Sequence, residues 1–176
     1  LNAPILLTRP TSMPQETFDE IKRLGADTVF VLGGKMAISE EIVDTLEREG
    51  LSVIRISGSS RTATAVEIAN FLTYYYSEKA IIVNGFDFPD ALSVASQAAI
   101  EGIPILLTHA NRLSEPTAEA LQSLGVKETI VVGGKTAVSD EVMSQLPNPV
   151  RVSGSDRVAT NIAVQKHFNV NPEHIY

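Results

Sequence analysis

A chain of 176 residues with 44% hydrophobic and 20% charged residues has the apolar material for a buried core, which excludes a wholly disordered polypeptide, and is sized for one ordinary domain or two small ones. Fourteen Lys and Arg against 21 Asp and Glu leave a net charge of -7, the wrong sign for a protein that grips nucleic acid through a broad basic face. The lack of cysteine removes disulfides, thiolate metal sites and cysteine nucleophiles together, no apolar run reaches the length of a membrane span, and a chain opening on Leu1 reads as a soluble fragment or processed product, any signal peptide lying outside it.

In chain order, residues 4–8 are a short apolar run before a loop at 8–12, Ser39 caps a helix with Glu40 and Glu41 in its first turn, and Gly50 stops it. A strand is predicted at 53–56. The helix after it, 62–75, carries Ala65, Ala69 and Leu72 at helical spacing, widened by Val66 and Ile68. Strand 80–83 follows, then an Ala-rich helix at 89–101 with Leu92, Ala95 and Ala99 on one side, strand 104–108, a helix from about Ser114 to Leu124-Gly125, strand 129–132, and a helix opened by Ser139 and stopped by Pro147. The strands are apolar at both parities, as strands covered on both faces are, and they alternate with helices. This predicts an α/β fold of repeated units, each with a mainly parallel sheet flanked by helices. Loops 8–12, 33–39, 57–61 and 85–90 then follow the carboxyl ends of strands, the usual ligand edge of such sheets.

The chain repeats itself. Pro-Ile-Leu-Leu-Thr at 4–8 returns at 104–108; Leu24-Gly25 returns as Leu124-Gly125, and Val-Leu-Gly-Gly-Lys-Met-Ala-Ile-Ser at 31–39 returns as Val-Val-Gly-Gly-Lys-Thr-Ala-Val-Ser at 131–139. Arg-Ile-Ser-Gly-Ser-Ser-Arg-Thr-Ala-Thr at 55–64 returns as Arg-Val-Ser-Gly-Ser-Asp-Arg-Val-Ala-Thr at 151–160. A period this long exceeds a solenoid repeat and has the size of a small domain. One complete copy occupies 55–150. Residues 1–54 are the back of a preceding copy and 151–176 the front of a following one, and these two pieces are expected to pack as one incomplete unit.

Glycines at Gly33-Gly34-Lys35 and Gly133-Gly134-Lys135 permit positive φ and leave backbone N–H groups facing an anion, to which the lysines add charge; the plain alternative is a tight structural turn. They are not P-loops, since Thr129 stands where the first glycine of that motif is needed and Met36 where its hydroxyl is. Arg61 and Arg157 sit at helix starts, where the dipole offers a cation nothing, so each needs a carboxylate such as Asp87 or Asp90, or a bound anion. Arg157 should lack that carboxylate, because its copy stops short of the matching segment. Asp90 after Pro89 reads as a helix-start acid rather than as half of a catalytic pair with Asp87. His109, His167 and His174 have no repeat-matched counterparts, and Arg9 replaces His109; a serine nucleophile is disfavoured, and no catalytic residue or metal site is assigned. The run Tyr74-Tyr75-Tyr76 could stack sugars but occurs once.

These blocks, in order Arg-x-Ser-Gly-Ser-x-Arg-x-x-Thr, Asp-Phe-Pro-Asp-Ala-Leu, Pro-Ile-Leu-Leu-Thr, Leu-Gly and Val-Gly-Gly-x-x-Ala-(Ile/Val)-Ser, closely resemble the type 2 cell-wall-binding repeat of bacterial surface proteins and wall-associated hydrolases. The resemblance implies compact units likened to the topoisomerase-primase fold and a noncatalytic role: holding an exported protein to anionic wall polymers, with no cofactor and with any catalytic part elsewhere in the polypeptide. It places the repeat signature on Ile5, Leu6, Leu7 and Ile105, Leu106, Leu107, the arginine block on Arg61 and Arg157, and the Asp-Ala-Leu block on Asp90, Ala91 and Leu92. The expected partners are an anionic polymer and further repeats of the parent chain or a homo-oligomer, with neither nucleic acid nor a membrane span, and the expected location is the cell wall or surface of a secreted protein. Polymer or anion contacts are assigned to Arg61, Arg157, Lys35, Lys135, Gly33, Gly34, Gly133 and Gly134; Leu6, Leu7, Leu106 and Leu107 are expected to be mostly buried. Two other readings remain: an α/β enzyme or sensor that binds a small phosphorylated molecule or nucleotide at the Gly-Gly-Lys loops, and a spacer without a ligand.

Overall fold

A computed structural model describes residues 3–72, 77–87 and 89–170, and it divides into two compact units, one ending at Ser60 and the other starting at Arg61. The Tyr74-Tyr75-Tyr76 run and His174 lie outside the described residues.

The first unit holds helix α1 (Gln15–Arg23), strand β1 (Thr28–Leu32), helix α2 (Glu40–Arg48) and strand β2 (Ser52–Ile56). Acidic Glu16, Glu40 and Glu41 lie in the first turns and basic Lys22, Arg23 and Arg48 in the last, each set opposing the helix dipole, and Gly25 and Gly50 end the helices at positive φ. β1 and β2 run parallel in the register Thr28↔Ser52 to Leu32↔Ile56, and α1 and α2 bury Ile21, Ile42, Val43 and Leu46 with Val31.

The second unit holds α3 (Arg61–Phe71), β3 (Lys79–Asn84), α4 (Pro89–Glu101), β4 (Ile105–Thr108), α5 (Glu115–Ser123), β5 (Glu128–Val132), α6 (Asp140–Met143), β6 (Pro149–Val152) and α7 (Arg157–His167). Its four strands are all parallel, in the order β4-β3-β5-β6. β3 is the inner strand whose apolar residues are sealed completely: Ala80, Ile81, Ile82 and Val83 are 0% exposed. Alternation divides them between two cores. Ala80 and Ile82 join Leu106 and Val131 beneath α3, α5 and α6, whereas Ile81 and Val83 join Ile130, Val132 and Val152 beneath α4 and α7. The mainly parallel α/β architecture is the expected one.

Three expectations change. The arginine-block strand closes a unit instead of opening one: β2 continues the ladder from β1 and β6 continues it from β5, so the repeat boundary at residue 55 is not the boundary of the compact units. Residues 151–167 therefore belong to the unit of β3 to β5, with α7 packed against α4 and β6, and not to a joint unit with residues 1–54. The two copies of Ile-Leu-Leu also diverge. Leu106 is fully buried in β4, with Ile105 and Leu107 packed against the core, but Ile5 and Leu7 are 85% and 81% exposed, Leu6 is also exposed, and residues 4–8 form no strand. The physical reason is the lack of a ladder partner: β4 pairs with β3, and among the described residues the first unit has no strand corresponding to β3. Finally, the helix after Ser139 is a single turn.

The divergence is measurable within this chain. Leu106→Ala is expected to cost about 2–5 kcal/mol in chemical unfolding, whereas Leu7→Ala is expected to stay within about 0.5 kcal/mol of the parent.

Candidate functional site

The strand-to-helix loops place the repeat-matched residues at the carboxyl ends of the strands, as their spacing predicts. The Gly-Gly turns are nearly superimposable in their bonding. Gly33 and Gly133 have φ of 121° and 115° and donate to Ile56 O (2.9 Å) and Val152 O (3.0 Å) on the neighbouring strand. The carbonyls of Gly34 and Gly134 each accept from the residues three and four positions on. A Cβ at Gly133 would lie 2.5 Å from Asp90 Oδ2, so space as well as backbone conformation demands glycine there, while Gly34 and Gly134 face open space.

The two lysines of these turns are answered within their own loops. Lys135 Nζ stands 2.6 Å from Asp140 Oδ2, and Lys35 Nζ 3.5 Å from Glu40 Oε1. The same acids also take a second, largely buried cation that the sequence reading left out of the site: Arg151 reaches Asp140 at 3.1 Å and donates to Gly133 O at 2.9 Å, and Arg55 reaches Glu40 at 3.3 Å and donates to Gly33 O at 2.8 Å. Each arginine thereby staples the last strand of its unit to the turn of the strand beside it. Both open the repeated arginine block, so repetition marked them, but only the fold shows which face they serve. The hydrogen bond from Lys135, assisted by Arg151, holds the Asp140 carboxyl below its ordinary range.

Arg61 and Arg157 are different. Arg61 takes neither Asp87 nor Asp90: its Nη1 donates to Gly85 O at 2.9 Å and its guanidinium lies 4.7 Å from the Phe86 ring centre, a cation–π contact at the end of β3. Phe86, 53% exposed, also stacks on His109 at 4.4 Å between ring centres, and Arg112 donates to His109 Nε2 at 3.2 Å. Phe86, His109 and Arg112 escaped a search by repetition because their counterparts in the other copy are absent or different in chemistry. Arg157, at the first residue of α7, shares its unit with Asp87 and Asp90, contrary to the expectation that this segment is out of its reach. Its positive charge pulls the Asp90 pKa down, yet burial, followed by the negative charge of Asp87, prevails and pushes that carboxyl above its ordinary value. Asp90 occupies the first turn of α4 behind Pro89, the place expected of a helix-start acid; Ala91 packs against the core and Leu92 is exposed.

Among the described residues, eight of the fourteen cations have a carboxylate within 4 Å: Lys22, Arg23, Lys35, Arg55, Lys79, Lys127, Lys135 and Arg151. Of those that do not, Arg61, Arg112 and Arg157 all lie at the carboxyl edge of the four-stranded sheet. Two acids, Glu40 and Asp140, are thus taken up at the turns, while these guanidinium groups stay exposed along one edge, where an anion gains charge-assisted hydrogen bonds. No helix among the described residues is long and apolar enough to cross a membrane, and no group of three or more His, Asp and Glu there is placed to hold a metal ion.

Comparison with known proteins finds relatives of this chain. The family model described as cell wall binding domain 2 matches residues 55–143. N-acetylmuramoyl-L-alanine amidase LytC of Bacillus subtilis is 33% identical over 99% of this chain, which corresponds to 35% of that protein. Among solved structures, Cwp6 from Clostridium difficile superimposes with a TM-score of 0.84 at 31% identity, over 94% of this chain and 28% of that one, and Cwp8 from the same organism with a TM-score of 0.80 at 34% identity, over 93% and 29%. The chain spans about a third or less of each of these relatives.

The two acids should respond to pH with opposite signs. Asp140 is stabilising when ionised, so Asp140→Asn is expected to lower the melting temperature at pH 7, with the difference fading as the pH falls through its lowered pKa. The folded protein holds the Asp90 proton more tightly than the unfolded chain does, so ionisation of Asp90 costs stability as the pH rises; Asp90→Asn is expected to gain on the parent between about pH 4 and neutrality and to match it below. Thermal unfolding of the three proteins from acid to neutral pH checks both signs.

Proposed function

The chain belongs to the cell wall binding domain 2 family, and from that premise we propose that it is a noncatalytic module that helps hold an exported protein at the bacterial cell wall by engaging an anionic wall polymer. The observation that carries the polymer part is the set of guanidinium groups with no carboxylate within 4 Å among the described residues, Arg61, Arg112 and Arg157, gathered at one sheet edge of a protein whose net charge is -7. A phosphate or carboxylate group on a polymer supplies the close ionic partner these guanidinium groups lack among the described residues. Phe86 and His109 hold Arg61 and Arg112 in place through stacking and a hydrogen bond, which lowers the entropic cost of ordering them on binding. Gly33, Gly34, Gly133 and Gly134 shape the adjoining turns, and Lys35 and Lys135 contribute less than their sequence position promised, because each is already ion-paired to an acid, Glu40 or Asp140, that it shares with Arg55 or Arg151. The same ion pairs weaken the nucleotide-binding alternative, which relied on those lysines.

Individually weak sites on a repeated module gain strength through avidity when successive repeats engage one polymer, and this fits a chain that is a fraction of the length of its relatives. The catalytic function belongs, on this reading, to other parts of such polypeptides, and the location is extracellular at the wall.

Purified wall sacculi, with and without their anionic polymer stripped away, provide the test. The chain is expected to sediment with intact sacculi and to lose most of that binding on stripped ones. Arg61→Ala combined with Arg157→Ala should weaken binding more than the two single changes together, and added salt should weaken the parent because exposed charges are screened over about 8 Å at physiological ionic strength. Equal binding to stripped sacculi, with no salt dependence, rejects the polymer reading.

A further inference from the structure

The cluster at the carboxyl ends of β3 and β4 contains one side chain of a type that changes charge near neutrality, His109. Arg112 Nη2 lies 3.2 Å from His109 Nε2. A guanidinium group can only donate, so Nε2 must accept, and an imidazole that accepts there is neutral with its proton on Nδ1. The unliganded arrangement is thus that of a neutral His109. A proton on Nε2 removes the acceptor and sets a cation beside Arg112. A further cation is close by, since Arg61 lies 4.7 Å from the centre of the Phe86 ring on which His109 stacks. The stacking can survive the change, because an aromatic face also accepts a cation.

Among the described residues no carboxylate lies within 4 Å of His109. The charged groups on the elements about it are Arg61 at the start of α3, Asp87 beside Phe86, Asp90 in the first turn of α4, Arg112 on its own loop and Glu115 in the first turn of α5. Lys135 and Asp140 complete the set, paired with each other on the turn whose Ser139 N donates to Ala110 O. Of all these, Arg112 touches the imidazole and Arg61 touches its stacking partner, and both are positive. In the other copy the place of His109 is taken by Arg9, a side chain that keeps its charge at every ordinary pH. Where one copy carries a fixed cation, the other carries a group that becomes one in acid.

We propose that anion binding at this edge takes up a proton on His109, so that the edge holds its ligand more tightly in acid than at neutral pH. The inference rests on the reading of Arg61 and Arg112 as anion ligands and adds how that site is regulated. An anion between the two guanidinium groups supplies the negative charge that an imidazolium needs. His109 then changes from accepting a bond from Arg112 to donating one to the ligand through Nε2–H, and Arg112 is released to turn both terminal nitrogens to the same ligand. One proton comes from solvent for each anion bound, and no covalent bond other than that N–H forms. Linkage makes the effect reciprocal: the factor by which the proton strengthens anion binding is the factor by which the anion strengthens proton binding.

Sulfate is the first probe, because its charge is constant over the range in which a histidine titrates, about pH 5 to 8. The ring protons of His109 in the unmodified chain are followed by nuclear magnetic resonance against pH, in chloride and in sulfate at equal ionic strength. The midpoint is expected to lie about half a unit or more higher in sulfate, a change of about threefold in proton affinity. Sedimentation with intact wall sacculi should be about threefold or more stronger at about pH 5.5 than at about pH 7.5. His109→Gln, which takes up no proton, should bring that ratio close to one, whereas His167→Gln at the end of α7 should keep it. A His109 midpoint unmoved or lowered by sulfate overturns the proposal, and so does an equal ratio in the parent and His109→Gln. A parent that fails to sediment with sacculi at either pH, while sulfate still raises the midpoint, rejects the wall reading and upholds the proton-linked site.

Discussion

Burial of an inner parallel strand on both faces is the constraint from which the rest follows. β3 carries four consecutive apolar residues with no exposed surface, and because successive side chains point to opposite faces it demands a helical layer above and another below. α3, α5 and α6 meet the demand on one side and α4 and α7 on the other. Among the described residues of the first unit that strand is lacking, and there the same flanking sequences leave their leucines and isoleucine exposed in a sheet of two strands. Identical sequence does not mean identical burial: in Pro-Ile-Leu-Leu-Thr the last four residues form strand β4 at Ile105–Thr108, whereas residues 4–8 have no ladder among the described residues.

The charge distribution has a comparable logic. Parallel strands end in loops at one edge, and turning from strand to helix there in few residues calls for glycine at positive φ. The turn must then be tied to the neighbouring strand, which Arg55 and Arg151 do by donating to the Gly33 and Gly133 carbonyls while Glu40 and Asp140 balance their charge. These acids do double duty at the start of α2 and α6, where a negative charge opposes the helix dipole. Lys35 and Lys135 add to the same clusters from more exposed positions, and exposed ion pairs of that kind contribute little stability. Consequently the residues that look most like anion ligands in the sequence are occupied with holding the turns together, and the positive groups open to a ligand are arginines further along the edge.

Arg61 shows how position alone can mislead about a partner. A cation at a helix N-terminus suggests a compensating carboxylate, and Asp87 and Asp90 lie in the right segment; instead the guanidinium rests on Phe86 and a backbone carbonyl, which leaves its charge available. Asp90, in turn, is drawn over Gly133 by the packing of α4, where burial and Asp87 oppose its ionisation more than Arg157 assists it.

Sequence alone determined the α/β class, the parallel sheet, the repeat and the family, because those depend on local signals: apolar runs of strand length, helix caps and stops, glycine turns and blocks that recur in order. It also placed the repeat-matched arginines and glycines at the carboxyl edge. Only the tertiary structure decided which strands share a sheet, and so moved 151–167 into the unit of β3 to β5 and left residues 4–8 without a partner, since ladder pairing joins segments far apart in the chain and no local pattern encodes it. Likewise only the fold distinguished the cations bound to neighbouring acids from those left open, and brought Phe86, His109 and Arg112 together from the ends of two strands. A side chain's type is written in the sequence, but its electrostatic partner is chosen by distance in space, which falls off over a few ångströms and is set by packing.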